Sequence, residues 1–163
     1  MKHFLKIIVT IIGAVVLGAV LTKISPTLTL LLSVFNLLVL YFALEEGEIY
    51  GAVMGSVTGL IHDSFSMGVL GISGISKTIM GFLAGYISRR INVAPLFRRI
   101  IFIYVMLLSE VVLWMILYSL VLSEGFYTAK GLLFLQPALT TVLAVIVFPL
   151  LKKLTKALPQ PGL

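Results

Sequence analysis

Cysteine is absent from the 163 residues. Thiol catalysis, a disulfide scaffold and cysteine-ligated metals are therefore excluded. Charge is scarce: Asp, Glu, Lys and Arg make up 11% of the chain, against about 25% in an ordinary soluble domain. Asp63 is the only aspartate, and His3 and His62 are the only histidines. A paired-aspartate protease needs two such residues, so that chemistry is excluded. His62 and Asp63 are sequence neighbours, which rarely suit one metal ion. No metal, cofactor or catalytic group is expected.

What the chain has is apolar surface. It is 60% hydrophobic, with a mean hydropathy of +1.18. A soluble sphere of this size has too little interior to hide so much. The net charge of +6 does not point to nucleic acid, because Lys and Arg in membrane proteins collect in loops that face the cytoplasm.

A spanning helix needs roughly 20 apolar residues, and six candidates occur, at about Phe4–Thr22, Thr27–Leu44, Ile49–Ile61, Ile72–Ile87, Ile100–Leu122 and Leu132–Leu151. The polar stretch His62–Ser66 reads as a loop or a re-entrant turn. Pro137 and Pro149 lack an N–H and are expected to kink or end the last span. The basic start at Lys2, His3 and Lys6 resembles a signal peptide. No small-residue cleavage site follows it, so the first span reads as a retained helix.

With six spans and the N-terminus inside, nine bases fall on the inner side: Lys2, Lys6, Arg89, Arg90, Arg98, Arg99, Lys152, Lys153 and Lys156. Only Lys23 and Lys130 fall outside. Both termini are then cytoplasmic. The expected architecture is an all-α membrane protein with one six-helix domain over 1–156 and a short cytoplasmic tail over 157–163. Its connections are too short for a soluble domain, the longest being Ser88–Arg99.

Gly47, Gly51, Gly55 and Gly59 recur every four residues about the third span, and Gly81 and Gly85 repeat the spacing on the fourth. Four residues turn a helix by about 400°, so such glycines form a slowly drifting stripe that lets another backbone approach closely. The stripe serves either packing inside the bundle or docking of a partner helix. Gly71-Ile72-Ser73-Gly74 matches the GxSG string of intramembrane serine proteases. That chemistry needs a histidine base from a later helix, and both histidines precede Ser73.

Ionisable groups inside a bilayer are costly and so informative. At 1.5 Å per residue, Glu110 lies about 16 Å from Arg99 along its span, Lys77 about 18 Å from Arg89, and Asn36 about 14 Å from Glu45. Three polar groups on three helices thus reach similar depths. They are structural glue, with Lys77 paired to Glu110 directly or through Asn36 or a water, or they line a cavity. Asp63, beside Ser64 and Ser66 and before a glycine-rich turn, is expected to act as a cap or a loop anchor by accepting freed backbone N–H groups. Glu45, Glu46 and Glu48 form an acidic cluster, either a solvated turn or a contact for a basic partner.

The run Gly59-Leu60-Ile61-His62-Asp63, then Met67-Gly68-Val69-Leu70-Gly71, then Ser76-Lys77-Thr78-Ile79-Met80-Gly81-Phe82-Leu83-Ala84-Gly85-Tyr86 resembles the MreD family of bacterial rod shape-determining proteins. Glu110 midway along the fifth span and the basic end at Lys152 and Lys153 fit the same family. The resemblance implies a non-enzymatic, multi-pass subunit of the cell-elongation machinery in the bacterial cytoplasmic membrane. It implies direct binding to MreC. It implies indirect links to MreB, a RodA-type glycosyltransferase and a class B penicillin-binding transpeptidase, and so a part in cell shape and lateral peptidoglycan synthesis. It also implies a fold similar to the substrate-binding subunits of ECF vitamin transporters. That likeness supplies the alternative function, vitamin binding in an outward pocket, for which the outer segments offer only a few polar or aromatic side chains, such as His62, Asp63, Tyr127 and Gln136.

Overall fold

The computed structural model describes residues 33–66, 69–93, 95–122 and 132–157, with residues 12, 13, 16 and 23 besides. Among the described residues the chain is all helical, with five helices and no strand: α1 Val34–Glu46, α2 Glu48–Ser66, α3 Ile72–Arg90, α4 Leu96–Leu122 and α5 Leu132–Ala157. The expected first span, at about Phe4–Thr22, lies almost wholly outside the described residues.

α1 is the axis of the bundle. Every residue from Phe35 to Ala43 is buried, as expected of a helix that is apolar all round. Ser33 opens it, its Oγ accepting from Asn36 N at 3.4 Å, a helix-start bond that Ser favours. The expected span began at Thr27, but the described helix begins at Val34; residues 27–32 lie outside the description.

Gly47 is where α1 stops. Its N–H donates to Phe42 O and Ala43 O, and its carbonyl accepts from Gly51 N at 2.9 Å to start α2. One residue thus closes one helix and opens the next. Its φ of 105° and ψ of −169° belong to a region open essentially to glycine alone. Gly47 is therefore a corner residue and not the first member of the α2 stripe, which begins at Gly51.

α2 continues through His62–Ser66, so that polar stretch is the last turn of a helix and not a loop. Its polar groups are satisfied within the fold: Ser64 Oγ donates to Leu60 O, and Asp63 is held by the next helix. α3 opens at Gly71, whose φ is 102°, and closes with Arg89 and Arg90 in its last turn, where cations complement the helix dipole. α4 begins at Leu96, four residues before the expected Ile100. The anticipated twelve-residue connection therefore shrinks to 91–95, and Arg98 and Arg99 are helical.

α5 runs through Pro137 and Pro149 and on to Ala157, the first residue of the expected tail, so neither proline ends it; residues 158–163 lie outside the described residues. Proline is tolerated in such helices where neighbours and hydroxyl side chains satisfy the disturbed backbone. Thr141 Oγ1 donates to Pro137 O at 2.7 Å.

One helix, over Leu96–Val121, is long and apolar enough to cross a membrane by length and composition among the described residues, and Leu135–Pro149 is a shorter apolar helix. α2 and α3 are 19 residues each, but their glycines, serines and charges dilute the apolar run. The exterior is far more apolar than that of a soluble protein. Leu120 and Phe97 are about three-quarters exposed, at 74% and 75%, and Val53, Val57, Ile75, Ile79, Phe82, Val105, Ile116, Val142 and Ile146 also face outward. The interior holds Thr58, Asp63, Ser73, Ser76, Lys77, Glu110, Thr140 and Thr141 beside its apolar core. An apolar exterior this extensive needs a nonaqueous or protein cover.

Candidate functional site

Lys77 on α3, Glu110 on α4 and Asn36 on α1 are brought together at the centre of the bundle. Lys77 Nζ donates to Glu110 Oε1 at 2.8 Å and to Asn36 Oδ1 at 2.6 Å. Asn36 Nδ2 donates to Glu110 Oε2 at 3.1 Å. The three side chains close a triangle in which both carboxylate oxygens and both ends of the amide are used. Relative exposure is 2% for Asn36, 2% for Lys77 and 4% for Glu110. An isolated charge at such a position is costly, whereas a pair with its remaining lone pairs satisfied offsets much of the cost. The triangle joins three helices by bonds that hold only for one rotation of each about its axis.

A second polar cluster sits where α2 meets the start of α3. Asp63 Oδ2 accepts from Gly71 N at 2.8 Å, Ser73 N at 3.1 Å and Gly74 N at 3.4 Å. The first N–H groups of a helix lack intrahelical partners and carry partial positive charge. A buried carboxylate from α2 supplies both the acceptor and the countercharge. Of the two expected roles, cap and loop anchor, Asp63 takes the first, for the helix that follows its own. Beside it, His62 Nδ1 and Ser73 Oγ share a hydrogen bond of 3.3 Å, and the His62 ring meets Phe35 edge-on.

This geometry corrects one argument from chain order. A histidine that precedes Ser73 does reach it, because α2 and α3 lie side by side. What stands against a serine nucleophile is the amides: the N–H groups of Ser73 and its neighbours, which an oxyanion hole would use, are already taken by Asp63.

The glycine stripe lies between α2 and α3. A Cβ on Gly51 would meet the carbonyl of Gly81, one on Gly55 the Lys77 carbonyl and Thr78 Cα, and one on Gly59 the Gly74 backbone. A Cβ on Gly81 would meet the Gly51 carbonyl, and one on Gly85 the Glu48 backbone. Of the two readings left open by the spacing, these contacts are packing inside the bundle. Ser56 Oγ and Thr78 Oγ1 bridge the same seam at 2.9 Å. That bridge was missed from sequence, although each residue is adjacent to one that the glycine contacts use.

The basic end of the bundle ties the acidic cluster down. Arg89 Nη2 donates to Glu46 O at 3.0 Å, Arg89 Nε lies 3.4 Å from Glu48 Oε2, and Lys152 Nζ lies 2.9 Å from Glu45 Oε1. The Arg89 guanidinium also fills the space where a side chain on Gly47 would go. Glu45 and Glu48 thus engage bases of this chain, a use that the spacing of the acids did not reveal. Of the candidates for an outward vitamin pocket, His62 and Asp63 are committed to α3, and Tyr127 lies outside the described residues.

The family model for the rod shape-determining protein MreD matches residues 1–154. The chain belongs to the MreD family. It is accordingly a rod shape-determining membrane protein, and the triangle, the Asp63 anchor and the glycine seam are features of an MreD chain. No match is found to a curated protein or to a solved structure.

Proposed function

We propose that this MreD protein is a non-enzymatic scaffold subunit of the bacterial elongation complex, which binds MreC in the cytoplasmic membrane. Through MreC it connects to MreB, to a RodA-type glycosyltransferase and to its class B penicillin-binding transpeptidase, and so directs lateral peptidoglycan synthesis. In this reading the chain is one six-span domain over 1–156 with both termini cytoplasmic. The first span, which lies almost wholly outside the described residues, completes the count.

One observation carries the reading: the interior polar groups of α1, α3 and α4 are spent on one another while the outer faces are apolar. A transporter or enzyme presents polar groups to a substrate. A scaffold presents a rigid outer shape, and the Asn36–Lys77–Glu110 triangle is suited to fixing that shape. With the glycine seam occupied by α2 and α3, MreC is left the outward apolar faces of the helices. No feature of the described residues favours the vitamin-binding alternative.

The test is co-purification. Full-length protein bearing an affinity tag is expected to retain MreC from the same bacterium through size exclusion in mild detergent, with and without the enzymes of the complex. Elution of MreC as a separate species would overturn the reading.

A further inference from the structure

At the basic end of the bundle, α4 and α5 line a cavity of about 220 Å³. Ile103, Ala144, Val145 and Phe148 form its apolar wall, and Arg99 and Lys152 also line it. We propose that this crevice binds an anionic phospholipid, with the phosphate held by Arg99 and Lys152 and one acyl chain laid along the wall.

A single hydrocarbon chain is thinner than a helix, which is about 10–12 Å across with its side chains. The wall offers apolar contact and no directional polar code, as a chain of methylenes requires.

Charge decides the headgroup. The first turn of α4 contains Arg98 and Arg99 and no acidic residue. Cations are unfavourable at a helix N-terminus, where the unpaired N–H groups already carry positive charge. Positive charge is thus concentrated at one spot of the fold without an acid from the same turn. The Arg99 guanidinium is steadied 5.1 Å above the Phe148 ring, which fixes its position at the crevice. Lys152 stands there paired with Glu45, and among the described residues Arg99 makes no ion pair. Guanidinium matches phosphate oxygens in pairs, and basic pockets between membrane helices are known receptors for anionic headgroups. A zwitterionic lipid would bring its own cation against these bases. The proposal rests on the chain lying in a bilayer and not on which partner it binds, so its outcome is independent of the MreC test.

The experiment is native mass spectrometry of the full chain in non-ionic detergent, titrated with phosphatidylglycerol, phosphatidylcholine or glycerol 3-phosphate. Phosphatidylglycerol is expected to bind as one saturable adduct, at least tenfold more tightly than phosphatidylcholine. Arg99→Gln should weaken it about fivefold, and Arg99→Gln with Lys152→Gln about thirtyfold. Arg99→Gln leaves the Lys152–Glu45 pair in place and carries the test alone if the double variant does not fold. Val145→Trp, which fills the crevice without touching charge, should abolish the adduct. Equal binding of the two lipids, or unchanged binding in Arg99→Gln, would overturn the proposal. Displacement of the lipid by glycerol 3-phosphate at equal concentration would also overturn it, by showing a site for a free anion.

Discussion

Two residues separated by 33 positions carry opposite charges into the bundle core and meet there. Removing one member of a buried ion pair strands the other, and typically costs about 3–5 kcal/mol. Lys77→Ala and Glu110→Ala are each expected to lower stability by that order in thermal unfolding in detergent. Lys77→Met with Glu110→Leu removes both charges and is expected to regain most of the loss, since apolar replacements of buried pairs are often neutral. If the double variant were as unstable as the worse single one, the two residues would be acting separately. Asp63 answers to a different cause. Asp63→Ala leaves two buried amides and one half-buried amide at the start of α3 without their acceptor, at about 1–3 kcal/mol for each buried group left unsatisfied. Asp63→Asn retains a neutral acceptor and should lie between wild type and alanine in the same assay.

At the scale of the element, the seam between α2 and α3 depends on absent side chains. Gly55→Leu drives a bulky group into the backbone at Lys77 and Thr78, where overpacking costs about 1–3 kcal/mol and a carbonyl cannot rotate away. Gly74→Ala is the contrasting case. Its added Cβ would lie 3.5 Å from Leu60 Cδ2, an ordinary contact, and alanine favours helix over glycine by up to about 1 kcal/mol. Unfolding of the two variants should therefore move in opposite directions. Equal, small effects would mean that the helices are farther apart than described. The helix boundaries belong to this scale too. α2 was expected to stop at Ile61, because a polar run reads as a loop when its partners are unknown. It continues to Ser66 because α3 supplies partners for Asp63 and His62.

For the whole molecule, the asymmetry of bases predicts a topology. A phosphatase reporter that works only in the periplasm is expected to be silent when fused after Lys156 or after Asn92, because both positions lie on the basic face. Activity at either site would break the six-span arrangement and with it the cytoplasmic placement of Arg99 and Lys152. On that expected topology the proposed lipid crevice would face the inner leaflet, where basic segments meet anionic headgroups.

The sequence by itself determined the class of protein and the depths of its polar groups. Composition alone requires an apolar exterior. Depth is a linear count, 1.5 Å per residue along a helix, so an error of one residue displaces Lys77 or Glu110 by only that much, and their meeting was legible. Facing is not a linear count. Each residue advances the helix by 100°, so an unknown rotation of one helix leaves its neighbour undetermined however well its periodicity is read. Tertiary packing decided that the glycines from Gly51 to Gly59 turn toward α3, that His62 reaches Ser73 despite its place in the chain, and that the Asp63 carboxylate caps a helix other than its own. It also decided that Gly47 is a corner, because the collision of its would-be side chain with Arg89 exists only once the ends of α1 and α3 lie together.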